Sequence, residues 1–129
     1  MDTIAEFLTR IRNAGTAKHE KVDVPSSKLR VGIADILVNN GLIRSYKVAK
    51  DSKQGIMRLY LKYDETGEHA INKIDRVSRP GRRLYVKSNE IPVIRSGLGM
   101  TIVSTSQGLM SGKDAQKKSL GGELICKIW

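Results

Sequence analysis

The chain has 129 residues and a formal net charge of +10, with 40% apolar and 28% charged residues. This composition excludes a wholly disordered chain, because enough apolar side chains are present to form a core. The single cysteine excludes an internal disulfide, no apolar run approaches the roughly 20 residues of a membrane span, and the start MDTIAEFLTR does not resemble a signal peptide. We therefore expect a soluble, cytoplasmic protein with one domain or two small ones.

Two helices are predicted near the start of the chain. Thr3 and Glu6 have the spacing of a capping box, and apolar residues then recur at helical intervals as far as Gly15, which supplies a stop. The serine pair at 26–27 can cap a second apolar helical stripe, and the segment Asn-Asn-Gly at 39–41 ends it.

A hairpin is predicted next, with strands at residues 43–48 and 56–63 around a polar turn at 51–55. The polar segment 64–69 is short, contains a glycine, and is the expected boundary between two subdomains. The expected subdomains are an N-terminal α/β one at residues 1–66 and a C-terminal β-rich one at residues 67–129.

The second half is predicted to consist mostly of strands. One short helix is expected after Ser111, which forms a second capping box with Asp114. In the closing strand, Leu124, Cys126 and Ile128 would share one face, because side chains alternate along a strand. The expected fold class is α+β, with two helices on a short sheet in the first subdomain and one short helix in a mostly β second subdomain. The predicted strands of the second half span residues 71–77, 83–87, 100–104 and 123–129.

Residues with catalytic potential are few. His19 and His69 lie in polar, loop-like stretches, where exposure to solvent is the common outcome. Cys126 lies in an apolar strand, where an inert buried thiol is expected. No pattern of acids, histidines or cysteines indicates a metal site or a cofactor. We therefore expect a protein that is not an enzyme.

The positive charge is spread over the whole chain. Residues 1–65 carry 12 basic and 8 acidic side chains, and residues 66–129 carry 11 and 5. A folded surface with this excess favours a polyanionic partner, although charge alone does not choose between RNA, DNA and anionic lipid. Solubility alone is the plainer explanation, but +10 exceeds the magnitude of roughly 2–8 that suits a small domain.

Three features indicate where such a partner would bind. Lys28 and Arg30 lie in the first turn of the second helix. Cations at this position are consistent with a helix N-terminus that faces a phosphate, and equally with a first turn that faces solvent. Tyr85 lies within a basic cluster, and its ring could stack on a base or pack in the sheet. The run Ser-Thr-Ser at 104–106, followed by Gly108, places hydroxyls at a strand end, where they could pair with ribose or phosphate. The basic cluster is Arg76, Arg79, Arg82, Arg83, Lys87 and Arg95.

Several motifs resemble the small-subunit ribosomal protein eight family. They are GMTIVSTSQGLM at residues 99–110, then Ala115, then GGELICKIW at 121–129, with SRPGRRLYVK, TIAEFLTRIRNA and VPSSKLR earlier in the chain. Together they cover essentially the whole chain in the order and spacing of the family. The length and the ending resemble bacterial members, and an organellar member would carry the same motifs.

The resemblance implies a structural constituent of the ribosome, a monomer outside it, that binds the central domain of small-subunit (16S) ribosomal RNA and helps to assemble the subunit. It also implies contacts with small-subunit ribosomal proteins five and twelve, and no cofactor. Some bacterial members repress translation of their own messenger RNA. In the family, a Ser-Thr-Ser loop enters the minor groove of an irregular RNA helix. The residues that match the family's RNA-binding positions are Ser104, Thr105, Ser106, Gly108, Gly122, Glu123, Tyr85, Arg83, Thr3, Arg12, Lys28 and Arg30.

Two positions depart from the family pattern. Thr3 replaces a usual proline, and Gln116 replaces a residue that is often basic, so one phosphate contact would be lost. Neither position lies in the hydroxyl run.

Two other classes of function stay open on the residues alone. A basic module that binds other proteins or a membrane surface would need a basic amphipathic helix with exposed apolar bulk. A nuclease or RNA-modifying enzyme would need a metal or an acid–base cluster.

Overall fold

The computed structural model describes residues 3–50, 55–93 and 99–129. The chain divides into two compact units, Thr3–Ile71 and Asn72–Trp129. Each unit packs helix against an antiparallel sheet, and the second consists mostly of strands, which confirms the predicted α+β class.

The first unit contains two helices and a three-stranded sheet with strand order β1-β3-β2. The predicted hairpin is confirmed as β2 and β3, and β1 joins the other edge of β3 as a third strand. Residues 51–54 of the predicted turn lie outside the described residues. The elements are α1 (Thr3–Thr16), β1 (Lys21–Pro25), α2 (Lys28–Asn39), β2 (Ile43–Ala49) and β3 (Ile56–Leu61).

The two helix starts differ from each other. Ser27 caps α2 as predicted, because its hydroxyl accepts a 3.1 Å hydrogen bond from the backbone N–H of Arg30. Helix α1 begins at Thr3 itself, so the prediction that Thr3 caps it is wrong.

Gly15 has a packing role instead of the predicted stop. It lies buried within the last turn of α1, and a Cβ at this position would lie 2.3 Å from Nδ1 of His69. His69 also pairs with Tyr63 through an isolated β-bridge. The imidazole is therefore half-buried against α1, contrary to the exposed position that its polar surroundings predicted.

The second unit is a sheet with the path β4-β8-β6-β7, and β5 pairs with β8 beside it. Strand β7 was not predicted, because a four-residue strand is too short for a recognisable alternation. Ser111 caps α3 as predicted, accepting a 3.2 Å bond from the N–H of Asp114. The elements are β4 (Ile74–Arg76), β5 (Tyr85–Val86), a 3₁₀ turn (Ser88–Glu90), β6 (Met100–Thr105), β7 (Gly108–Ser111), α3 (Gly112–Lys117) and β8 (Gly122–Ile128).

A register shift corrects the predicted faces of β8. Ile102 pairs with Cys126, but the next residue, Val103, pairs with Leu124, so Ile125 is an extra residue in β8. Because cross-strand partners share a face and Ile102 and Val103 alternate, Leu124 and Cys126 face opposite sides of the sheet. Leu124 joins the core cluster of Ile91, Val103 and Ala115 beneath α3.

Candidate nucleic-acid interface

Strand pairing gathers distant residues of the second unit into one row. Tyr85 on β5 pairs with Glu123 on β8, Glu123 with Ser104 on β6, and Ser104 with Leu109 on β7. Cross-strand partners project from the same face, so these side chains lie side by side. We call Tyr85, Glu123 and Ser104, together with the adjoining loop at residues 106–107, the hydroxyl surface.

The loop between β6 and β7 is held by Thr105. Its hydroxyl donates a 2.8 Å hydrogen bond to the carbonyl of Gly108 and accepts a 3.1 Å bond from the N–H of Gln107. Gly108 adopts φ +108°, a conformation that side chains rarely allow. Thr105 therefore shapes the loop, and Ser106 and Gln107 remain exposed at its tip. Within the described ranges, the hydroxyls of Ser104 and Ser106 have no hydrogen-bond partner.

Tyr85 is available for stacking. Its side chain is 69% exposed, so the ring does not pack within the sheet. The alternative of a buried ring, which the residues alone left open, is therefore wrong. An exposed ring at the edge of a row of hydroxyls offers a flat surface to a base or a ribose.

Ser78 links the arginine turn to the hydroxyl surface. Its side chain is fully buried, donates a 2.5 Å hydrogen bond to the Glu123 carboxylate and accepts a 3.1 Å bond from the N–H of Leu84. Arg83 donates a 2.9 Å bond to the same carboxylate oxygen. Sequence reasoning missed Ser78, and the only local signal was its place immediately before the run Arg-Pro-Gly-Arg-Arg.

These contacts set the charge of Glu123. Partial burial opposes its ionisation, but the hydrogen bonds from Ser78 and Arg83, with the charges of Arg83 and Arg76, outweigh that effect, so its pKa lies below the ordinary value. The Arg83 guanidinium is therefore paired with the Glu123 carboxylate.

Two other arginines are free to attract an anion. Arg79 and Arg82 close the turn with reciprocal backbone hydrogen bonds of 3.1 and 2.9 Å, and both side chains are exposed. Neither forms an ion pair with any residue in the described segments. Arg95 of the predicted cluster lies outside the described residues, and Arg76 donates inward to the carbonyl of Ile125 at 2.8 Å.

The predicted contacts of the first unit fall into two groups. Thr3, Arg12 and Lys28 are exposed on their helices. Arg30 is only 9% exposed and donates to the carbonyls of Pro25 at 2.8 Å and Thr3 at 3.3 Å. Its guanidinium also lies 5.9 Å from the centre of the Phe7 ring. We infer that Arg30 ties the two helices and β1 together, because its donors point into the protein.

In the part of the chain that the structure describes, no group of three or more His, Cys, Asp or Glu side chains is placed to hold a metal ion. Cys126 is buried, as predicted, and burial raises the pKa of its thiol to about 12 despite the nearby charge of Arg76. None of the described helices has the length and apolar composition that crossing a membrane requires.

Comparison with known proteins places the chain in a family. The family model described as ribosomal protein S8 matches residues 2–129. The chain is 73% identical to the small ribosomal subunit protein uS8 of Bdellovibrio bacteriovorus over the full length of both chains. It is 55% identical to the protein of the same name from Geotalea daltonii, over 99% of this chain and 97% of that one, and 50% identical to that of Streptococcus agalactiae. The chain therefore belongs to the ribosomal protein S8 family, whose members are structural proteins of the ribosome and not enzymes.

Proposed function

We propose that the chain is a primary RNA-binding protein of the small ribosomal subunit and that its hydroxyl surface binds the central domain of 16S ribosomal RNA. The observation that carries this proposal is the cross-strand row, which brings Tyr85 and Ser104 together beside the exposed loop 106–107. The unpaired cations of Arg79 and Arg82 lie on the turn that follows Ser78, which is bonded to the same row.

Each part of this surface has a distinct task. Ser104 and Ser106 carry hydroxyls that can donate to or accept from a ribose 2′-OH in the shallow minor groove of an RNA helix. Tyr85 stacks on an exposed base or ribose at the edge of the row. Arg79 and Arg82 attract the backbone phosphates, which adds affinity but little sequence preference.

Other residues shape this surface without touching RNA. Thr105 is occupied within its own loop, and Glu123 is occupied by Ser78 and Arg83. In the first unit, Lys28, Arg12 and Thr3 are exposed and supply contacts to nearby RNA backbone. This division predicts that a substitution at Ser106 will weaken RNA binding by removing a contact, whereas one at Thr105 will weaken it by disturbing the loop.

The wider setting follows from the family. We infer that the protein works on the cytoplasmic ribosome beside small-subunit ribosomal proteins five and twelve and helps to assemble the subunit. A surface that recognises the shape of one irregular helix will bind any RNA that folds in the same way. A structured segment of its own messenger RNA is therefore a second target, through which the protein would repress its own translation.

The decisive experiment compares two RNAs across a salt series. Purified protein is titrated with a fragment carrying the central-domain helix and with a scrambled duplex of the same length, between about 50 and 400 mM monovalent salt. We expect a preference for the fragment that persists at moderate salt, because hydroxyl and stacking contacts are less sensitive to salt than phosphate contacts. Equal affinities that fall together with salt would contradict the proposal, since charge alone would then explain the binding.

A further inference from the structure

The outer face of the first unit's sheet, opposite the helices, is a second exposed surface. Side chains on the helix side, such as Met57 and Leu59, are buried. The alternate residues of the three strands form three cross-strand rows on the other side, which we call the outer sheet face. The rows are Lys21, Tyr60 and Ser45; then Asp23, Arg58 and Lys47; then Pro25, Ile56 and Ala49.

Asp23 is the one acid among the described residues of these three rows, and the middle row neutralises it. Arg58 binds Asp23 through two hydrogen bonds, from Nε to Oδ1 at 2.7 Å and from Nη2 to Oδ2 at 3.0 Å. This contact lowers the pKa of Asp23, so the carboxylate stays charged and paired. Lys21 and Lys47 are exposed, and neither has an ion pair with a residue in the described ranges. The outer sheet face therefore carries two uncompensated positive charges.

Tyr60 lies between those charges and is half-buried, and its hydroxyl is hydrogen-bonded to the Arg58 side chain. Lys21 and Ser45 pair with it from the two neighbouring strands, and the Lys47 ammonium lies 5.9 Å from its ring centre. Four residues away on the same strand, about 14 Å along it, Ile56 is 48% exposed. An aromatic ring and an apolar side chain on a flat face, flanked by cations, match the stacking platforms that bind unpaired nucleic acid.

A double helix fits this arrangement less well. The major groove of an RNA duplex is too narrow for a sheet to enter, and paired bases are not free to stack on a protein ring. A cationic partner is disfavoured by Lys21 and Lys47. The occupant that fits both the charge and the ring is an unpaired, negatively charged strand with exposed bases.

We propose that the outer sheet face binds a single-stranded RNA segment, with a base on Tyr60 and phosphates on Lys21 and Lys47. The outer sheet face and the hydroxyl surface lie in different compact units. The proposal for the outer sheet face does not depend on the function proposed above. The outer sheet face would hold unpaired nucleotides, whereas the hydroxyl surface would read a helix.

Fluorescence anisotropy with a labelled, unstructured RNA of about ten nucleotides tests this proposal. Tyr60→Leu is expected to weaken binding about ten-fold, whereas Tyr60→Phe, which keeps the ring, leaves affinity unchanged. Lys47→Gln should reduce the salt dependence by about 0.7 in slope, and the matched variant Lys117→Gln, on α3, should not.

Three results would overturn the proposal. One is wild-type affinity in a folded Tyr60→Leu variant. Another is equally tight binding of a polyglutamate peptide of the same charge, which would assign the face to an acidic protein. If Tyr60→Leu does not fold, amide NMR of the wild type decides: shifts at Ser45, Lys47 and Tyr60 are expected, and shifts confined to residues 104–108 would refute the site.

Failure of this proposal is distinguishable from failure of the proposed function. If the outer sheet face does not bind RNA, Tyr60→Leu will have no effect on binding of the unstructured RNA. If the hydroxyl surface does not bind RNA, Ser106→Ala will have no effect on binding of the central-domain helix fragment.

Discussion

A Cβ on Gly122 would lie 2.1 Å from the carbonyl oxygen of Ser104, closer than any side chain can approach. The same two strands hold Ser104 beside Glu123, one residue along. The close approach that sets the hydroxyl surface therefore depends on glycine at position 122. We infer that Gly122 acts by letting β6 and β8 meet there.

Gly122→Ala is expected to destabilise the protein by about 1–3 kcal/mol, because the backbone must move to relieve the overlap. The displacement of β8 should also weaken binding to the central-domain RNA fragment. Urea denaturation and a binding titration measure the two effects. Gly81→Ala is the matched control, since a Cβ there meets nothing within 4 Å and its φ is not positive, and its effect should stay within about 0.5 kcal/mol. Equal losses in both variants would contradict the packing role of Gly122.

Ser106→Ala and Thr105→Val distinguish a direct contact with RNA from a contribution to the conformation of the loop. Ser106 is exposed at the loop tip, so its loss should weaken RNA binding by about 1–2 kcal/mol and leave the free energy of unfolding unchanged. Thr105→Val removes two hydrogen bonds within the loop, so both stability and binding should fall. Denaturation curves and filter binding provide the measurements. An unchanged affinity in Ser106→Ala would remove that hydroxyl from the interface.

Arg30→Met and Lys28→Gln are expected to behave differently, although both cations open the same helix. Arg30→Met removes two charge-assisted hydrogen bonds from a buried position, so we expect a loss of about 1.5–3 kcal/mol in stability. Lys28→Gln should leave stability unchanged and reduce the slope of log affinity against log salt by about one unit or less. A stable Arg30→Met protein with a reduced salt slope would show instead that Arg30 contacts phosphate.

We expect His69 to make the stability of the first unit dependent on pH. Burial is the largest influence on the imidazole and lowers its pKa below 6.5, and the charge of Lys18 acts in the same direction. Its Nε2 is buried without a partner in the part of the chain that the structure describes, so a proton there cannot be satisfied. The unfolded chain then binds more protons than the folded one in the window below pH 6.5.

Stability should therefore be complete above about pH 6.5 and decline as the pH falls toward the lower folded pKa. Urea midpoints between pH 7.5 and 5 measure this decline. His69→Gln should flatten the profile, and His19→Gln, which changes an exposed histidine, should not. A profile that survives in His69→Gln would assign the dependence to another group.

Local sequence patterns predicted most elements and the β2–β3 hairpin, but not the pairing of the other strands. Helices α1 and α2 were found because apolar residues recur at helical spacing in segments long enough to show a period, and the six-residue α3 was found from its capping box. Strand β7 and the register shift at Ile125 were missed, because four residues show no period and a bulge leaves no mark in the alternation. The assignment of His69 and Arg30 to the surface was wrong for a related reason: polar side chains enter the interior wherever a partner or a glycine accommodates them.

The sequence by itself determined the class of the protein: a basic, two-part α+β chain without a catalytic set, carrying the motifs of one ribosomal family. These properties depend on composition, on the periodicity of apolar residues and on residue order, all of which can be read from the sequence without knowing which distant residues come into contact. Only the tertiary structure decided which polar groups face solvent and which are already bonded. It left Tyr85 and Ser106 exposed and the half-buried Ser104 hydroxyl unbonded within the described residues, while it bonded Thr105, Glu123 and Arg30 internally. That division arises from contacts between residues far apart in the chain, because a hydroxyl or a cation is free for a partner only when the fold has not already satisfied it.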